Sequence, residues 1–435
     1  MRYETDTTAG ERATNQAQGD HQPTEASKTE SRRQHSHSAV VLSGETVITG
    51  TPDGAIQMET VDGTTRWSTE QTTSGVSSLA VSPNWVVAGH RGPEGRVSVR
   101  SRDSGRIHWE YITAEDIGSP KSTAAHAQPT VIESVITADL IFLAARRIER
   151  ERTQCSSVVY AFSHDGCLQW ARDTEWPVTG ITHGDGQLGV SYHNWPADSD
   201  SVLLLEAATG TVQARWSPTP EGNTVSENTA GDGVGTLTTG VGDITAGDGA
   251  IAVASHTDQY GYLLARTGTE RWGVNLGGEY TVSSETVYTN PEYVTITDEL
   301  VIFVTGRTQR QSPTTVRHPA AHTVIAVNRT DGTFAWKHQL DGPPLDIAHH
   351  GSRLAIATAT HHSNGGSVTV LSTDGELLVE NHFDGLPAAV DCTAESVTTV
   401  EENLSNQADG DCFARHMTTL PAVSETTAEQ RVNEE

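Results

Sequence analysis

The stretch TVIAVNRTDGTFAW, residues 323–336, decides how this chain folds. It opens with a β-branched run through Val324, Ile325 and Val327, turns at Asp331-Gly332, and ends on Trp336, four residues beyond the glycine. Asp-Gly between two strands is a hairpin turn, because Gly332 can take the positive φ the turn requires. Trp336 then falls on the second strand of the hairpin, where a large flat side chain can wedge against a neighbouring sheet.

The element recurs. AIQMETVDGTTRW ends at Trp67, RVSVRSRDSGRIHW at Trp109, SVVYAFSHDGCLQW at Trp170 and GYLLARTGTERW at Trp272, with turn glycines Gly63, Gly105, Gly166 and Gly268. Two copies are degraded. VLLLEAATGTVQARW turns at Gly210 and sets Trp216 two residues late, and VTVLSTDGELLVE turns at Gly375 and has Val379 where Trp is expected. Five of the nine tryptophans share one offset from a turn glycine, so the hairpins share one environment.

A second element precedes each hairpin: an apolar strand, a short turn and another apolar strand. Its eight copies are AVVLSGETVITG, SLAVSPNWVVAG, SVITADLIFLAA, TGITHGDGQLGVSY, DITAGDGAIAVAS, VTITDELVIFVT, LDIAHHGSRLAIAT and AAVDCTAESVTTV. A spacing of roughly 40–60 residues suits one four-stranded antiparallel unit with variable loops. Such units, repeated radially, close into a ring with only short edges. The expected fold is all-β, an eight-bladed β-propeller over residues 38–420, with seven blades plus a degenerate unit as the alternative. The last unit is the weak one: an acidic loop and CFARHMTTL follow its first hairpin, with no Gly-x-x-x-Trp. Its third strand is expected from Cys412 to Thr418, and its fourth is either missing or donated by the N-terminal segment.

The Gly-x-x-x-Trp hairpin resembles the repeat of quinoprotein (PQQ) alcohol dehydrogenases and of the outer-membrane assembly lipoproteins that share their propeller. The resemblance implies that Trp67, Trp109, Trp170, Trp272 and Trp336 each dock onto the neighbouring blade. It implies no single function, because scaffolds and enzymes carry the same repeat. WD repeats fit less well, since neither their Gly-His nor their terminal Trp-Asp recurs. Sialidase Asp-boxes place their Trp at a different offset.

Charge narrows the function classes. The chain of 435 residues carries a formal net charge of −28, from 56 acidic residues against 28 basic ones. Only Lys28, Lys121 and Lys337 are lysines, and the other 25 basic residues are arginines. Such a surface repels itself until salt shortens the Debye length, so a high-salt, halophilic-type cytoplasm is the expected setting. The carboxylates are dispersed rather than blocked, which argues against nucleic-acid mimicry. Binding to nucleic acid or to an anionic membrane would need a basic patch. No apolar run is long enough for a transmembrane helix, and no signal peptide or lipid-anchor cysteine is seen. Residues 1–37 and the acidic tail 421–435 are too polar to bury a core and are expected to be disordered.

No catalytic residue emerges. The dehydrogenase branch implies adjacent cysteines over a quinone and a calcium site, whereas Cys155, Cys167, Cys392 and Cys412 are all separated. The pairs His349-His350 and His361-His362 lack a third ligand, and the Gly-Asp-Gly turns at Asp185, Asp232 and Asp248 lack the spaced carboxylates of a calcium loop. Neither a cofactor nor a metal is therefore expected. One distribution stands out. The loops joining second and third strands, which emerge on one face, carry Arg91, Arg146, Arg147, Arg150, Arg152, Arg307, Arg310 and Arg317, with His90, His193, His256, His318 and His322. A locally basic face on an acidic body is a candidate binding surface for a protein partner. Glu149 and Glu151 stand ready to neutralise part of it. The leading expectation is a non-catalytic interaction scaffold. The alternative is a small-molecule or carbohydrate-binding propeller, possibly hydrolytic, with its ligand over the channel.

Overall fold

The computed structural model describes residues 38–120, 127–148, 155–174, 176–193, 200–218, 240–282, 284–310, 316–360, 365–402 and 413–421. These residues hold 32 strands and one four-residue helix, Ala114–Ile117. Among the described residues the strands form eight consecutive antiparallel meanders, termed blades, at residues 39–68, 75–112, 130–174, 178–216, 241–275, 285–339, 344–383 and 386–419, the second and third sharing one eight-stranded sheet. Each is a meander in which neighbours in sequence are neighbours in space. Blades two and three touch through the single pair Arg91↔Thr130. Blade six carries an extra strand, Tyr280–Val282, on its long first strand Glu285–Ile296.

Burial within a blade explains its sequence. Second strands such as Ala250–Ser255 and Arg353–Ala359 are buried at every residue, so they read as unbroken runs of small and apolar residues. Fourth strands such as Phe334–Gln339 alternate between exposed and half-buried residues. The apolar cores lie between blades rather than within them. Phe142, Val159 and Ala161 of blade three pack against Ile181, Leu188 and Val190 of blade four, and each following junction repeats the arrangement. The eighth junction closes the ring, with Val40, Leu42 and Val47 of blade one against Ala389 and Val400 of blade eight. Closure is face to face. Among the described residues blade one is built from the strands starting at Ala39–Ser43, and none of these strands joins the sheet of blade eight; residues 1–37, from which a donated strand was expected, lie outside the described residues. Among the described residues blade eight has three strands, the third being Phe413–Thr419.

The repeated tryptophans clamp the rim. The indole N–H of Trp67 donates to Arg102 O at 2.8 Å, that of Trp109 to His164 O at 2.8 Å, and that of Trp170 to Ala207 O at 3.0 Å. Trp272 donates to Arg329 O at 3.0 Å and Trp336 to Thr373 O at 2.8 Å. Every acceptor lies in the next blade, just ahead of its turn glycine. That glycine sits under the ring: a Cβ on Gly375 would lie 2.7 Å from Trp336 Cδ2, and one on Gly105 2.6 Å from Trp67 Cδ2. Gly375 also has φ +88°, which an L side chain adopts only with strain.

Three junctions depart from this pattern, one of them the blade seven–eight boundary, where Val379 holds the Trp position. At the blade four–five boundary Ala214 occupies the Trp position, and a Cβ on Gly268 would meet the Ala214 Cβ at 2.9 Å. Trp216, two residues on, turns instead onto Tyr262, with ring centroids 4.8 Å apart. Gly63 of blade one has φ +89° but nothing within 4 Å of its Cβ position, because the preceding blade has no described fourth strand to bring a Trp over it.

Gly63 and Gly375 therefore separate two costs. Gly63→Ala should lose about 1–2 kcal/mol for its left-handed backbone. Gly375→Ala should lose a further ~1–3 kcal/mol for the clash with the indole. Equal losses in denaturant unfolding would show that Trp336 yields freely and that the dock contributes little.

Candidate functional site

The strand Trp85–Arg91 of blade two and the strand Leu140–Ile148 of blade three both end toward the loop face, on either side of Thr130. Arg91 and Arg146 each stand opposite Thr130 in the backbone register, so the topology brings the two arginines side by side. The Arg91 side chain makes no hydrogen bond among the described residues, and its Nε and Nη1 are buried. Burial pushes its pKa down to about 10; the charge of Arg146 adds to the shift, and Glu402 of blade eight opposes it. Arg146 donates from Nη1 to Val178 O at 2.8 Å, and burial lowers its pKa as well. Groups from blades two, three and eight thus meet at the channel mouth. Glu402 is itself held by the hydroxyl of Ser38. A desolvated guanidinium with unused donors beside a second cation favours an anion.

The other arginines of the expected basic face that are described stand apart from this pair. Arg147 is a correction: strand alternation turns it away from Arg146, and its Nε donates to Ile117 O at 2.7 Å from a side chain only 7% exposed. Arg317 is exposed on blade six, with Nη2 3.0 Å from His322 Nδ1. Arg307 is half-buried on the same blade, where its carbonyl accepts from Thr289 at 3.1 Å. Arg150, Arg152 and the side chain of Arg310 lie outside the described residues. Several histidines of the face are internal. His90 contacts Ser74 O through Nδ1 at 3.1 Å, and His318 contacts Gly278 O through Nε2 at 2.9 Å. Burial lowers the pKa of both, so they act as neutral ties for their loops.

Deeper in the channel the first strands carry carboxylates that the sequence reading did not single out. Glu133 accepts the N–H of Ile181 at 2.7 Å, Asp243 that of Val294 at 2.9 Å, Asp346 that of Val390 at 2.9 Å, and Asp391 that of Leu42 at 2.7 Å. Each bond runs to the inner strand of the next blade. Each aspartate also accepts the N–H of the residue after it, at 2.8–2.9 Å. Ser77, Thr182 and Tyr293 make the equivalent links through their hydroxyls. A faint signal was present in the sequence: GDITAG and LDIAHH both place Asp-Ile four residues before the inner turn. Burial raises the pKa of Glu133 to about 8 and that of Asp346 to about 7, and the neighbouring acids add to both shifts.

A sequence profile described as outer membrane protein assembly factor BamB matches residues 198–408. BamB from Moraxella catarrhalis superposes with a TM-score of 0.54 at 14% identity, over 89% of this chain and 94% of that one. The quinohemoprotein alcohol dehydrogenase ADHIIG from Pseudomonas putida HK5 gives 0.54 at 13% identity, over 83% of this chain and 69% of that one. Sqt1 from Saccharomyces cerevisiae gives 0.54 at 11% identity, over 86% and 90%. No curated protein sequence matches. The chain is a β-propeller, and its residues 198–408 are similar to the PQQ-like repeat family. At these identities the likeness to solved structures extends to the fold alone.

The donor set of this propeller does not fit the quinone site that a resemblance to the quinoprotein dehydrogenases implies. Cys155, Cys167 and Cys392 are free thiols, and none has a sequence neighbour to pair with. The channel carboxylates are already committed to backbone N–H groups. Among the described residues Asp341, Glu380 and His382 bring ligand atoms within 4.8 Å of one another, but all three are exposed and no buried donor fixes their geometry. No helix among the described residues is long and apolar enough to cross a membrane.

The carboxylates make stability depend on pH. Glu133 rises from 4.5 to about 8 and Asp346 from 3.8 to about 7, so the folded propeller keeps protons that the unfolded chain releases. Their contribution is complete at low pH, below the unfolded values, and is lost as pH rises through about 7 and 8. The unfolding midpoint should fall between pH 5 and pH 8.5, roughly the window these shifts define. Glu133→Gln should flatten that fall; an unchanged pH profile in this variant would show that Glu133 does not carry it.

Proposed function

We propose that this propeller is a non-catalytic interaction scaffold that binds an acidic segment of a protein partner at the loop-face mouth of its channel. The observation that carries the reading is Arg91, whose buried Nε and Nη1 have no partner among the described residues although Arg146 stands beside it. An incoming carboxylate would satisfy those donors and offset the repulsion between the two cations. The acidic remainder of the surface sharpens the contrast by repelling the same partner elsewhere. A scaffold reading also agrees with channel carboxylates that hold blades together and leave no pair free for acid–base work. The cytoplasmic location belongs to the same proposal and rests on the acidic, lysine-poor composition.

Fluorescence anisotropy with a labelled oligoglutamate peptide tests the site. The wild-type chain should bind it, and the affinity should fall with added salt. Arg91→Glu combined with Arg146→Glu should lower the affinity at least tenfold while the circular dichroism spectrum is kept. Undiminished binding by the folded double variant would remove the channel mouth from the account.

A further inference from the structure

A cavity of about 280 Å³ lies at the junction of blades three and four, away from the channel mouth. Arg172, Asp173 and Thr174 line it from the fourth strand of blade three, Leu168–Thr174, and Trp176 from the link that follows. Blade four adds Tyr192 at the end of Gln187–Tyr192, Asp200, Leu203 and Arg215. Its floor is continuous with the core between the two blades, in which Tyr192 and Leu203 are buried and Trp176 partly buried. The volume is just below the roughly 300–1,000 Å³ typical of small-molecule sites.

Two polar groups in this cavity are unspent. Tyr192 is 3% exposed, and its buried hydroxyl has no hydrogen-bond partner among the described residues. A buried hydroxyl left in that state is destabilising. Arg172 makes no ion pair or side-chain hydrogen bond among the described residues, yet its charge acts on the Tyr192 phenol together with those of Arg215 and Asp200. Arg215 is already paired with Asp200. Two donors therefore converge, a phenolic O–H and a guanidinium, beside an indole and a leucine. Two arginines against two aspartates leave no surplus for a dianion, and the unspent donors call for a singly charged acceptor.

We propose that this cleft binds a small organic carboxylate, with its charged end between Arg172 and the Tyr192 hydroxyl and its apolar body against Trp176 and Leu203. The site is independent of the channel mouth and would survive the failure of the scaffold reading. Ligand-observed NMR on the full chain with acetate, butyrate, benzoate and phenylacetate tests it, with benzyl alcohol as the uncharged control. Benzoate or phenylacetate should bind and benzyl alcohol should bind at least tenfold more weakly. Arg172→Gln should weaken the carboxylate at least tenfold. Tyr192→Phe should weaken it several-fold without lowering the unfolding midpoint, because the variant removes an unsatisfied hydroxyl. Failure of all four carboxylates to bind would overturn the proposal, as would equal binding to Arg172→Gln. A clear loss of stability in Tyr192→Phe would show that the hydroxyl has a structural partner and is not available to a ligand.

Discussion

A blade whose middle strands are buried on both faces cannot be stable alone. Ala250–Ser255 and Gly366–Ser372 expose no residue, so each needs an apolar sheet on either side. Adding a blade covers one face and opens another, and the requirement ends only when the last blade meets the first. Ring closure is therefore the constraint on which the rest of the structure depends. It is met with the small cluster around Val40, Leu42, Val47, Ala389 and Val400.

Polar staples fix the angle at which blades meet, and they work at two radii. On the rim, an indole lies over a turn glycine and donates to the carbonyl just ahead of it. At the channel wall, a carboxylate or hydroxyl on one first strand bonds to the backbone of the next. The closing junction has no rim staple among the described residues, since Gly63 has no ring above it. Its inner staple, Asp391 to the N–H of Leu42, is present. An ion pair between Arg415 and Glu59 at 2.8 Å, with both side chains about five-sixths buried, adds a link between blade eight and blade one. The closing junction is thus held by charge where five other junctions carry a docked indole.

The same architecture concentrates unusual electrostatics on the axis. Inward-facing first-strand positions gather acids from blades far apart in sequence, and burial raises the pKa values of Glu133, Asp346 and Asp391. Where the second strands end, Arg91 and Arg146 are drawn together by a backbone register they share with Thr130. Neither feature follows from the net charge of the chain, which is strongly acidic.

The sequence by itself determined the repeat. The turn glycines, the tryptophan offset and the apolar second strands are local patterns, set by backbone sterics and side-chain alternation, and they place the blades and their docking aromatics. It also marked the last unit as the degenerate one, because a missing Gly-x-x-x-Trp is as visible as a present one. Which arginines meet was decided by the tertiary structure. Arg146 and Arg147 are adjacent in sequence, yet strand alternation sends one to the channel mouth and the other to Ile117. The acids of the channel wall and the cleft around Tyr192 were equally hidden, since their members come from strands whose proximity exists only once the blades pack. Local conformation is written in neighbouring residues, whereas a site assembled across blades depends on register and on the closing of the ring.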